Sequence, residues 1–165
     1  MRRAAACIAA LITLSPLAAA ASEGGWVQVA ISHPHAPRIV TAEARALFAD
    51  VNATRMRHGL SPLVADERLS DLALAVARQM ADRRYFGHTD PSGVTFADRL
   101  RAAGYQYRFA AENMALDCDE AHANAAFLQS PGHYENIVDP QPHKLGIAVL
   151  AAGDGEVFYV EEFSD

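Results

Sequence analysis

The chain has 165 residues, 51% of them hydrophobic and 21% charged, with a formal net charge of −6. That is room for one domain of ordinary globular composition. Its single lysine, Lys144, and its acidic balance exclude the clustered cations that a nucleic acid or an anionic membrane surface requires.

The first 21 residues stand apart. Arg2 and Arg3 are followed by the apolar run Ala4 to Leu14 and by the small residues Ala18 to Ala21. This is the pattern of a secretory signal peptide, with cleavage expected after Ala21. The apolar run is shorter than the roughly 20 residues of a transmembrane helix, so no membrane anchor is expected after cleavage. Export to the periplasm or the extracellular space follows. Cleavage would remove two arginines, which deepens the negative charge, and would leave Cys118 as the sole cysteine. A mature fold with one cysteine has to rest on packing rather than on an internal disulfide.

Residues 22–40 read as an extended lead-in, with Gly24, Gly25, Pro34 and Pro37 interrupting any regular element. Thr41 opens a helix to about His58, stopped by Gly59. Its stripe is Ala44, Leu47, Phe48, Val51 and Arg55. Asp66 caps a second helix, with Leu69, Leu72, Ala73, Val76, Ala77 and Met80 on one face; Tyr85-Phe86-Gly87 ends it. Thr95 and Asp98 make a capping box for a short helix ending at Gly104. Ala111 to Leu116 is short and apolar around Glu112-Asn113. Asp119 opens a fourth helix to about Gln129, and Ser130-Pro131 starts a fifth that ends near Val138. Two β-rich runs, Leu145–Leu150 and Val157–Phe163, flank Gly153-Asp154-Gly155 and predict a terminal hairpin. Helices precede the clear strands, so the fold class is α+β.

Three segments carry unusual polar groups: Phe86-Gly87-His88-Thr89-Asp90-Pro91, Ala111-Glu112-Asn113 after Gly104-Tyr105, and Ser130-Pro131-Gly132-His133-Tyr134-Glu135-Asn136. Each sets a His or Glu beside a turn or helix start, where a scaffold can present it. Read alone, His88 and His133 are either structural histidines or a shared polar cleft. Glu112 is a metal ligand, a general base, an orienting carboxylate or a buried structural acid. Ser130 reads as an N-cap that occupies its own hydroxyl. Cys118, between Asp117 and Asp119 and four residues before His122, reads as a packed, unreactive thiol.

These segments come in a fixed order. Asn52 and Arg55 lead to Pro62-Leu63, then Phe86-x-His88-x-x-Pro91, Gly104-Tyr105 and Ala111-Glu112-Asn113. Ser130-Pro131-Gly132-His133-x-x-Asn136 and Leu145-Gly146-Ile147 follow. In that order the chain, from Ala42 to Phe163, resembles the CAP superfamily of cysteine-rich secretory, antigen 5 and pathogenesis-related 1 proteins, in its short bacterial form. The resemblance implies a three-layer α-β-α sandwich with a cleft that gathers two histidines and two acids. In several members the histidines hold a divalent metal. Carried over, His88 and His133 are the histidines and Glu112 the first acid. The second acid falls at Ser130, and Phe127 stands where the family usually has Trp. The expected function is a binding module for a small apolar ligand, a peptide or an envelope component. The cleft would be formed by His88, Glu112, Ser130 and His133. The alternative is a hydrolase with Zn²⁺ or another divalent metal on His88 and His133, and Glu112 as base.

Overall fold

The computed structural model describes residues 10–11, 26–29, 38–39, 41–153 and 156–165. The elements in chain order are β1 (Ala10–Leu11), β2 (Trp26–Gln28), β3 (Arg38–Ile39), α1 (Thr41–Arg57), β4 (Val64–Ala65), α2 (Glu67–Arg83) and β5 (Tyr85–Gly87). After them come α3 (Phe96–Ala102), β6 (Ala110–Asp117), α4 (Glu120–Gln129), α5 (Pro131–Val138), β7 (Lys144–Ala151) and β8 (Val157–Ser164). Apart from Ala10–Leu11, the expected leader lies outside the described residues.

The helices start and stop where local chemistry dictates. The Asp66 carboxylate accepts the Leu69 N–H at 3.0 Å and caps α2. Thr95 and Asp98 cap α3 reciprocally. Asp119 takes the His122 N–H at the start of α4. Gly104 sits at φ 63°, a left-handed conformation that suits glycine after α3.

The main sheet has the order β1-β6-β8-β7-β3, with β4 pairing in parallel on β7. Its centre is antiparallel β6, β8 and β7, and β7–β8 is the expected terminal hairpin. The Ala111–Leu116 segment forms most of β6, an eight-residue strand. Residues of the lead-in form β2, which pairs with β5, and β3, which pairs with β7.

Strand alternation divides the core into two layers. Met114, Leu116, Ala148, Leu150, Phe158 and Val160 pack against the α2 face built on Ala73, Val76, Ala77 and Met80. Ala115, Leu145, Val149, Val157, Tyr159 and Phe163 pack against Leu47 and Val51 of α1, Ala123 and Phe127 of α4, and Ile137 of α5. This is an α-β-α sandwich. Gly146 is a contact point of the α2 layer. A Cβ there would lie 2.3 Å from the backbone of Leu69, so only glycine lets α2 approach β7 this closely.

Arg55 ties three connections together. It is 2% exposed. Its Nε donates to the Ser61 carbonyl, Nη1 to those of Ile137 and Asp139, and Nη2 to that of Pro142. The polar end of the α1 stripe is therefore an internal staple that fixes the C-terminus of α5.

Candidate functional site

Among the described residues, β1 covers the outer edge of β6 only at Ala115 and Leu116. Over the opposite end of that edge lies a cleft of about 280 Å³. Its floor is Ala110, Ala111 and Glu112. His88 and Phe96 form one wall, and Gly132, His133, Glu135 and Asn136 form the other. The structure thus brings His88, Glu112 and His133 to one cleft. Ser130 is not among its lining residues.

The two walls are held by adjacent residues of β6. Glu112 and Asn113 point to opposite faces of the sheet because side chains alternate along a strand. On the α2 face, the Glu112 carboxylate accepts the His88 Nδ1–H at 2.9 Å on Oε1. Arg99 Nη2 donates to both Glu112 oxygens, at 2.9 and 2.6 Å. Arg99 Nη1 closes the group on the His88 carbonyl at 3.0 Å. The bond to Glu112 fixes the His88 tautomer, so His88 would meet a metal or ligand through Nε2.

On the other face, Asn113 Nδ2 donates to the His133 carbonyl at 3.1 Å, and Asn113 Oδ1 accepts from Asn136 at 2.8 Å. These bonds dock α5, which carries His133, on the sheet. The His133 ring lies edge-on to Phe127, with centroids 5.4 Å apart. Phe127 thus packs against the cleft histidine from α4.

Ser130 occupies the N-cap position of α5, but its side chain makes no capping bond. Its Oγ is buried and has no partner among the described residues. The expectation that capping occupies this hydroxyl is therefore corrected. Pro131 lacks an N–H, and the Ser130 backbone carbonyl, not its hydroxyl, accepts the Tyr134 N–H.

Sequence reasoning missed three supporting groups. Arg99 neutralises Glu112, but an arginine inside a short helix carries no signal of a distant partner. Asp90 accepts the Ser92 and Val94 N–H groups and Arg83, which shapes the loop after His88. Burial opposes ionisation of Asp90, yet these donors hold its carboxyl below the usual range. Glu162, paired in register with Glu112, is 1% exposed. Burial pushes its carboxyl up to about 9, reinforced by Glu112 and opposed by Arg99.

A metal on His88 and His133 would be held by two imidazoles. Glu112 is committed to Arg99 and His88. A catalytic zinc normally takes three protein ligands. Among the described residues, the ligand atoms that converge within 4.8 Å are those of Asp117, Cys118 and His122, at the far end of β6. In this structure, which includes the expected leader, Cys118 is disulfide-bonded. The expectation of a single, packed cysteine concerns the chain after cleavage of residues 1–21.

Fold and site together define a cleft-bearing α-β-α sandwich. The model of the cysteine-rich secretory protein family, CAP, matches residues 48–163, and the chain belongs to that family. An uncharacterized protein of Bacillus subtilis, YkwD, is 33% identical over 119 residues, 72% of this chain and 46% of its own length. The chain thus spans about half of that relative. An extracellular SCP-domain protein from Bacillus anthracis is similar in structure, with TM-score 0.67 and 30% identity, covering 75% of this chain and 40% of that one. An outer surface protein from Borrelia burgdorferi shares the fold, with TM-score 0.72 at 22% identity, covering 78% of this chain and 97% of that one. No helix among the described residues is long and apolar enough to cross a membrane.

Proposed function

We propose that the protein is an exported CAP domain whose cleft binds a ligand between His88 and His133, either a small apolar molecule, a peptide or an envelope component. The carrying observation is the state of Glu112. Both its oxygens are bonded to Arg99, and one also accepts from His88. A carboxylate so engaged orients an imidazole well and is a poor proton acceptor for a bound water. With Ser130 in place of a second acid, binding is favoured over catalysis. Phe96 and two alanines give the cleft apolar surface, and the histidines, Glu135 and Asn136 give it hydrogen-bonding groups.

The second reading, a metal-dependent hydrolase, rests on the same two histidines lining one cleft. A divalent metal there would supply a Lewis acid. The leader 1–21 and export belong to the same proposal, and N-terminal sequencing of the exported protein should begin at Ser22.

Calorimetric titration of Zn²⁺ into metal-stripped protein tests the site. One ion per chain, lost in both His88→Ala and His133→Ala, supports a shared cleft. Equal binding by all three proteins contradicts it. Hydrolysis of a peptide or envelope polymer that Glu112→Gln abolishes would replace the binding reading with the hydrolase.

A further inference from the structure

The face of β8 turned away from Glu112 carries a second buried acid. Glu161 is 0% exposed. Its Oε2 accepts from Asn113 Nδ2 at 2.9 Å, and its Oε1 has no partner among the described residues. The same Asn113 nitrogen donates to the His133 carbonyl, and Asn113 Oδ1 accepts from Asn136. We propose that Glu161 is a positioning residue for the α5 wall of the cleft, acting through the side-chain amide of Asn113.

The two ends of that amide are nearly equal in shape, so its bonds decide which way it points. In the observed orientation, both N–H groups of Asn113 meet oxygens and its own oxygen meets an N–H. Turned over, Oδ1 would face the His133 carbonyl and the Glu161 carboxyl, and Nδ2 would face the amide of Asn136. Glu161 therefore adds a second oxygen that holds Asn113 in the orientation α5 needs.

Helix α5 needs this help. It has eight residues, too short to be stable alone. It is held by Ile137 in the core, by Arg55 on the Ile137 carbonyl, and by Asn113 on His133 and Asn136. The first two act at its C-terminal end. Asn113 is the anchor nearer the end that bears His133, and Glu161 stands behind it.

The arrangement favours a neutral acid. Burial pushes the Glu161 carboxyl up to about 8; Asn113 opposes this and Glu120 reinforces it. Of the titratable groups, Glu120 from α4 acts on it, Tyr159 shares its face two residues away on β8, and the His133 backbone carbonyl lies across the Asn113 amide. Glu43 and Asp50 of α1 lie behind, against Tyr159 and Glu120. Asn113 from β6 and Ile147 from β7 bring no charge. Among the described residues no fixed cation faces the group, so an ionised Glu161 is a buried charge with one hydrogen bond.

The proposal concerns the shape of the cleft and does not depend on what the cleft binds. It is tested on metal-free, ligand-free protein by amide NMR, with Glu161→Gln and Glu161→Leu. Gln offers Asn113 the same oxygen and cannot ionise. In the wild type, the Asn136 side-chain amide and the α5 backbone amides should titrate together with a midpoint near 8. Glu161→Gln should match the wild-type spectrum at about pH 6 and show no such step. Glu161→Leu should raise α5 amide exchange by about tenfold or more at that pH. A step that persists in Glu161→Gln, or α5 exchange unchanged in Glu161→Leu, overturns the proposal. If Glu161→Leu does not fold, the Gln comparison decides alone.

Discussion

Glu112 and Arg99 form the electrostatic centre of the cleft, with Arg99 Nη2 2.6 Å from Glu112 Oε2 and their side chains 12% and 1% exposed. The pair is nearly dry, so removing one member leaves the other as an uncompensated buried charge. Arg99→Leu should destabilise the fold by about 3–5 kcal/mol. The double variant Arg99→Leu/Glu112→Leu should recover part of that loss, because it leaves no orphaned charge. Urea unfolding of the three proteins measures both. An Arg99→Leu loss under about 1 kcal/mol would mean that the pair is solvated.

Arg55 is the structural counterpart on the other side of the sheet. Its planar fork reaches four carbonyls that a lysine ammonium cannot span together. Arg55→Lys should cost about 2–4 kcal/mol, from two or more buried carbonyls left without donors. Thermal unfolding would register this. The α5 amides should exchange faster in the variant, since two of those carbonyls lie at or just after the end of α5.

Gly146 carries a steric prediction. Gly146→Ala would place a methyl carbon 2.3 Å from Leu69 backbone and Cβ atoms, and rigid backbone cannot yield as a flexible side chain does. Overpacking of this kind costs about 1–3 kcal/mol and often more. Yield and unfolding midpoint should both fall. A wild-type midpoint would show that α2 moves away from β7 without penalty.

The two buried acids of β8 set the pH dependence of stability. Glu161 and Glu162 have ordinary values of 4.5, raised in the fold to about 8 and about 9. Between the two values, the folded state holds a proton that the unfolded state has released. Stability is therefore fullest below pH 4.5 and falls as pH rises through 8 and 9. Asp90, held below its ordinary value of 3.8, acts in the opposite sense. Its contribution is present above 3.8 and is lost as pH falls below it. Denaturation from about pH 5 to 9 should show a downward slope that Glu161→Gln and Glu162→Gln each reduce. A flat profile would place both groups in contact with water.

The helices were legible because caps and apolar stripes agree. Asp66, Thr95 and Asp119 sit at helix starts that the periodicity also marks. β6 was harder to read, because Ala110 to Asp117 is rich in alanine and carries Glu-Asn at its centre, which disguises a strand. The site showed the same division. His88, Glu112 and His133 stand out as polar groups beside turns. Arg99, Asp90, Glu161 and Glu162 do not, since their roles depend on partners brought close only by the sheet and by α3. The Ser130 hydroxyl shows the converse error: a favourable position in sequence did not produce the bond.

The central claim is that His88 and His133, presented from opposite sides of β6, serve one binding site. The direct measurement adds Co²⁺ stepwise to metal-free protein while the ring protons of individual histidines are followed by NMR. The account predicts that His88 and His133 shift together and saturate at the same equivalent, and that His88→Ala abolishes the response of His133. A response confined to one of them, or one centred on His122 near Asp117, would contradict it.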